Sequence, residues 1–281
     1  MNRNVLEWAA GVIEGEGNVR ITGGGLELRV TMVDSDVVAT LRDLFGGSLH
    51  PRPACGRRSA SAAWSLYGGA AANALRLLLP SFRGIRWRMR AETAVEFHEG
   101  QNGVPREQRR ARTRRYCDVL SALAHVGSVT EDLSKGLGVA PRPASEAWLA
   151  GLLEGEGSIA ICLGLRVQIA MVDADVVRAC AETFGGTVTR RPGRDRKRAR
   201  ARWTVCSRTA TAALRRAWPH FRGLRWRLRT ETALEYFDGQ KALPRKERAA
   251  RTRRYREILA ALAHIGPAVE EIAKSIPERK E

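Results

Sequence analysis

Cysteine is sparse in this chain: Cys55, Cys117, Cys162, Cys180 and Cys206 are the five among 281 residues, and no two stand at C-x-x-C spacing. An odd, scattered set argues against a disulfide framework and a zinc knuckle, and for a reducing compartment. Apolar runs are short, as in Ala70-Ala71-Ala72 and Leu77-Leu78-Leu79, so no segment is expected to span a membrane. The opening MNRNVLEW has no apolar stretch of the kind a secretory signal needs. A cytoplasmic location is the expectation. Lysine is nearly absent from the positive charge, with six Lys among 48 Lys+Arg.

What is present is arginine. Against 30 Asp+Glu the formal net charge is +18, which points to an anionic partner. The guanidinium fork suits phosphate and guanine. Hydrophobic residues reach 44%, enough for a real core and against whole-chain disorder.

The chain also repeats itself. WAAGVIEGEG from Trp8 is matched by WLAGLLEGEG from Trp148, and MVDSDVV from Met32 by MVDADVV from Met171. Over residues 82–117 and 221–256, 22 of 36 positions are identical. Two copies of one fold are implied: residues 1–135, a linker at 136–145 with Pro141 and Pro143, and residues 146–281.

Within a copy, residues 6–15 suit a helix that Gly15 and Gly17 stop. Residues 18–22 and 26–32 alternate with period two, with a triple-glycine turn between them. Asp34 or Ser35 is placed to cap a helix reaching Phe45. A second hairpin follows at 48–52 and 63–67, then helices near 70–79 and 86–99 and a basic helix near 106–123. The pattern predicts an α+β fold of two tandem α-β-β-α-β-β-α repeats about a pseudo-twofold axis. Each antiparallel sheet would have one apolar face on helices and one polar, basic face.

The doubled A-G-[VL]-[IL]-E-G-E-G motif resembles the LAGLIDADG homing endonuclease family. Ala10, Gly11, Glu14, Gly15, Glu16 and Gly17 carry it in copy one; Leu149, Ala150, Gly151, Glu154, Gly155, Glu156 and Gly157 carry it in copy two. The resemblance covers nearly the whole chain, twice. It implies a monomeric, single-chain endonuclease that hydrolyses one phosphodiester on each strand of double-stranded DNA. The family's metal-binding acid maps onto Glu16 and Glu156, with Gly15 and Gly155 beside them. Mg²⁺ is the implied cofactor; Mn²⁺ would substitute, and Ca²⁺ would bind without supporting cleavage. No protein-splicing domain surrounds the repeats, so an intron-encoded or free-standing gene, bacterial or phage, fits best. The alternative within the family is a non-cleaving nucleic-acid-binding protein, an intron maturase or a transcription regulator.

The motif can also be read without the family. Gly11 and Gly15 lie four apart on one helix face, as do Gly151 and Gly155. Bare faces let two helices approach to backbone contact. Glu16 and Glu156 then sit at adjacent helix C-termini, where negative charge is costly unless a cation joins them. Hard oxygen ligands suit Mg²⁺. Glu14 and Glu154 are expected to be structural. The family commonly places a lysine before its last core helix; here the matching segments carry Arg86, Arg88, Arg225 and Arg227, which hold charge but cannot exchange a proton. Asp34 and Asp173 are either contacts to a metal-bound water or, preferably, helix N-caps.

Strand parity gives outward-facing residues for DNA: Asn18, Arg20, Thr22, Arg29, Thr31 and Arg52 in copy one, and Arg166, Gln168, Arg191, Arg202 and Thr204 in copy two. Residues 190–202, RRPGRDRKRARAR, read as a loop along phosphates that includes Arg194. Its counterpart in copy one is much less basic. The two halves should therefore read different sequences, and the site should be long and non-palindromic.

Overall fold

Each repeat begins with a helix that runs straight into a four-stranded sheet. The structure, a computed structural model, describes residues 1–22, 25–55, 59–101, 103–126, 142–193, 199–240 and 243–263. Helix α1 (Arg3–Glu16) starts earlier than the apolar periodicity because the Asn2 side chain caps it, accepting from Asn4 N at 2.9 Å. Gly17 ends it; a Cβ there would lie 2.4 Å from Ile13 O. Strands β1 (Gly17–Thr22) and β2 (Gly25–Met32), helix α2 (Ser35–Phe45), and strands β3 (Ser48–Arg52) and β4 (Ser61–Tyr67) follow, then helices α3 (Gly68–Leu78), α4 (Ile85–Glu99) and α5 (Arg106–His125).

The second copy retraces this path: α6 (Glu146–Glu156), β5 (Gly157–Ile161), β6 (Leu165–Met171), α7 (Ala174–Phe184), β7 (Thr187–Arg191), β8 (Arg200–Cys206), α8 (Ser207–Ala217), α9 (Leu224–Gln240) and α10 (Arg245–Ala263). Both sheets are antiparallel, with orders β1-β2-β4-β3 and β5-β6-β8-β7. The expected hairpins are present, and the central pair in each sheet joins the two hairpins, β2 to β4 and β6 to β8. The α+β two-repeat architecture is as the pattern predicts.

Period-two burial puts Val19, Ile21, Leu28, Val30, Trp64 and Leu66 into the core of the first half. Trp64, Trp87, Trp203 and Trp226 are interior residues: Trp64 donates its indole N–H to Gly46 O at 2.8 Å, and Trp203 to Gly185 O at 2.7 Å. Gly46 and Gly47, at φ 76° and 91°, turn the chain from α2 into β3. The basic segment 190–202 differs from expectation at its ends. Arg190 and Arg191 pair with Ala201 and Arg200, so cross-strand bonding extends the hairpin into what looked like loop. Arg194 and most of the expected linker lie outside the described residues. Among the described residues, no helix is long and apolar enough to cross a membrane.

Candidate metal centre and nucleic-acid interface

The two halves meet where α1 packs on α6. A Cβ on Gly11 would fall 2.2 Å from Trp148 O, and one on Gly151 would fall 2.0 Å from Trp8 O. No other residue type fits at that approach. Lower on the same seam, a Cβ on Gly15 would lie 3.3 Å from Gly155 Cα and 3.4 Å from Glu156 Cγ, and one on Gly155 3.3 Å from Glu16 Cγ. Close helix packing thus sets Glu16 and Glu156 side by side as the last residues of α1 and α6.

Both side chains reach solvent, yet both sit in a crowded, negative setting. Burial, then Glu156 and Asp34, push the Glu16 carboxyl up to about 7. Burial also raises Glu156, but Arg200 opposes the rise. The donor set is therefore hard oxygen at a site that disfavours its own ionisation, which suits a divalent cation. Among the described residues no three His, Cys, Asp or Glu converge as a cluster, so a cation held here would draw further oxygens from water or a bound ligand.

The other motif acids turn inward and cross the seam. Glu14, 1% exposed, accepts from Arg83 N at 3.0 Å and Gly84 N at 2.6 Å, and from the indole N–H of Trp148 in the other repeat. Glu154 does the same with Arg222 N, Gly223 N and the indole of Trp8. Each thereby satisfies free amides before α4 or α9. The next amides are capped from the opposite repeat: Ile85 N donates to Asp175 at 2.7 Å and Leu224 N to Asp36 at 2.6 Å.

Asp34 and Asp173 stand at the N-cap positions of α2 and α7, but their carboxylates make no capping bond. They reach across instead. Arg86 Nε donates to Asp173 at 2.6 Å, and Arg225 Nη2 to Asp34 at 2.6 Å. Both aspartates are 1% exposed. The fields of Asp34 and Asp173 act on Glu16 and Glu156 respectively. The charges that act on Arg88 are those of Arg142, Asp175, Glu14 and Glu92 rather than of Glu16 or Glu156, and Arg227 donates to Phe221 O; among the described residues neither arginine bonds to the Glu16–Glu156 pair.

Sequence reasoning did not single out Arg90 and Arg229. Arg90 is buried over Trp87, donating to Asn18 Oδ1 at 3.1 Å and Val19 O at 2.8 Å. Arg229 lies over Trp226 and donates to Ile159 O. Burial and the neighbouring Arg86 or Arg225 lower each to about 10. Their spacing of four from Arg86 and Arg225, on one helix face, was the available signal.

On the sheets, Asn18, Arg20, Thr22, Arg52 and Arg191 are exposed, while Arg29, Thr31, Arg166, Gln168, Arg202 and Thr204 are half-buried. Gln168 Nε2 donates to Thr204 Oγ1 at 3.2 Å. Glu27 and Ser65 share the parity of the outward residues yet are buried, at 2% and 0% exposed.

No family model matches the chain, and no curated protein aligns with it in sequence. Solved structures do match in shape. The LAGLIDADG meganuclease I-AabMI bound to uncleaved DNA superposes with a TM-score of 0.59 at 14% identity, over 92% of this chain and 98% of that one. I-SmaMI bound to cleaved DNA gives 0.54 at 15% identity, over 91% and 96%. I-SmaMI bound to its uncleaved target with calcium ions gives 0.53 at 16%, over 90% and 98%. The likeness that the motif suggested therefore extends to the architecture: the chain has the fold of the LAGLIDADG homing endonucleases.

Proposed function

We propose that this protein is a monomeric, site-specific double-strand DNA endonuclease that cuts one phosphodiester on each strand. One observation carries the reading: two carboxylates, Glu16 and Glu156, are forced together by the glycine seam between two sheets whose outer faces bear arginine. The structural neighbours, described as meganucleases bound to DNA, support the same partner. Glu16 and Glu156, with the backbone of Gly15 and Gly155, would hold Mg²⁺ or Mn²⁺. Bound there, such an ion supplies Lewis-acid polarisation of a phosphate and a more acidic water. The chain's own part is to orient the strands on its sheets and to keep the two acids adjacent. Arg86 and Arg225 add positive charge nearby, already committed to Asp173 and Asp34.

That commitment favours a second reading, binding without cleavage, as in a maturase or regulator. With both arginines paired and no lysine at hand, the described site offers no evident proton acceptor besides water and the acids themselves. One experiment separates the two. A duplex library is incubated with the full chain in Mg²⁺ or in EDTA, alongside E16Q and E156Q. Cleavage by wild type that needs Mg²⁺, with loss in both variants, supports the endonuclease. Specific retention without cutting in Mg²⁺ or Mn²⁺ sinks it and leaves the binding protein.

A further inference from the structure

On the outer face of the first sheet, three residues form a row across the strands. The register sets Arg20 of β1 opposite Glu27 of β2, and Glu27 opposite Tyr67 of β4. Glu27 is a carboxylate on a face otherwise rich in cationic and neutral polar groups, and it is almost wholly covered. What covers it includes Arg20, whose Nε donates to Glu27 Oε2, and Arg29, whose Nη1 lies 3.8 Å from Oε1. The Arg20 side chain stays 49% exposed, and its Nη1 and Nη2 make no hydrogen bond to a described residue.

An arginine aimed only at phosphate gains nothing from a buried carboxylate beneath it, because the carboxylate cancels the long-range attraction. A tethered Nε does something else. It fixes the guanidinium plane and leaves the two terminal nitrogens as a rigid pair of donors. Two parallel donors on an outward sheet match the O6 and N7 acceptors of guanine in the major groove. Tyr67, 55% exposed, completes the row on the far side of Glu27.

The second repeat lacks this device at the same place. The ladder there sets Ala160 opposite Arg166, and Arg166 opposite Cys206. The tethered arginine has become alanine, and the acid has become an arginine whose Nε has no hydrogen-bond partner among the described residues. We propose that Arg20 reads a guanine in the half-site under the first sheet, that Glu27 is its positioning residue, and that the second half-site has no such reading at the equivalent position. This rests on the DNA-binding reading above and adds to it the base, the half and the residue pair.

The test is selection of full-length protein on a duplex library with a randomised core, in Ca²⁺, with sequencing of the bound pool. Wild type should enrich a guanine at one position in one half only. R20A should equalise the four bases at that position and leave the other positions unchanged. E27Q should relax the preference about ten-fold without equalising it. Since Glu27 is buried, E27Q is checked by its melting curve, and the double variant A160R/R166E provides an independent arm: it should create a new guanine preference in the other half. The inference falls if R20A weakens recovery of all sequences alike, which would mark a phosphate contact. It also falls if E27Q selects the wild-type pool, or if the transplant changes nothing. A wild-type pool with no enrichment of any sequence would take the DNA reading down with it; an enriched pool without an Arg20-dependent guanine would overturn this inference alone.

Discussion

The indole N–H of Trp148 donates to the carboxylate of Glu14, 134 residues earlier in the chain, and Trp8 and Glu154 repeat the bond in reverse. Each glutamate thereby joins a helix start in its own repeat to a tryptophan in the other.

Removing one indole donor leaves a buried acid short of a partner. W148F should destabilise the fold by roughly 1–3 kcal/mol, the cost of an unsatisfied buried group, with W8F similar. Urea denaturation with an unchanged m-value checks it. A loss well under 0.5 kcal/mol in both would mean that the indoles contribute packing alone.

The Arg86–Asp173 pair has its acid 1% and its base 16% exposed along the side chain. R86M would strand a buried carboxylate, at a cost of about 3–5 kcal/mol. The double variant R86M/D173L should recover most of that, since apolar replacements of buried pairs are often tolerated. Thermal denaturation of the three proteins decides; a double variant no better than R86M would show that the pair holds more than each other.

At Gly11, the added methyl of alanine meets Trp148 O at 2.2 Å. G11A must push α1 and α6 apart and should cost about 3 kcal/mol, at the upper end for overpacking. G15A meets its neighbours only at 3.3 Å and beyond, so a small stability loss is expected with a larger loss of Mg²⁺-dependent cutting, as the acids separate. Parallel melting and cleavage assays give the contrast.

Proton linkage gives a pH signature. Burial raises Glu14 and Glu16 to about 7 and Glu154 to about 8, from an ordinary 4.5. The folded chain holds these protons longer than the unfolded chain does. Their contribution is full below about 4.5 and is lost as pH rises through 7 to 8. In EDTA, melting temperature should therefore decline from pH 5 to pH 8, and E16Q should flatten part of that slope. Mg²⁺ should matter more at pH 8 than at pH 6, where Glu16 still holds its proton. A melting temperature that climbs steadily over this range would contradict the raised values.

Much of this was legible in the sequence because duplication offered two samples of every signal. The helix-hairpin order, the glycine seam and the adjacency of Glu16 and Glu156 follow from residue spacing alone. Asp34 and Asp173 show the limit. Aspartate before a helix predicts a cap from local chemistry, yet an arginine about 190 or 90 positions away outbids the nearby amides. The same holds for Asp36 and Asp175, which cap helices of the opposite repeat. Side-chain parity puts Glu27 and Ser65 on the outward face yet gives no sign that they are buried, because alternation assigns a face of the sheet but not the cover that neighbours lay over it.

Among the described residues, three kinds of bond across the seam recur with the same residue types in both directions: tryptophan to glutamate, arginine to aspartate, and helix amide to aspartate. Either repeat consequently carries both halves of the complementarity. Released from its partner, the first repeat would present Trp8 and Glu14, and a second copy of itself would offer the matching glutamate and tryptophan. The covalent connection is thus not what makes the halves recognise each other. What it adds is heterogeneity, since it holds two sheets with different outer faces, Arg20-Glu27-Tyr67 and Ala160-Arg166-Cys206, in one particle where free exchange would scramble them.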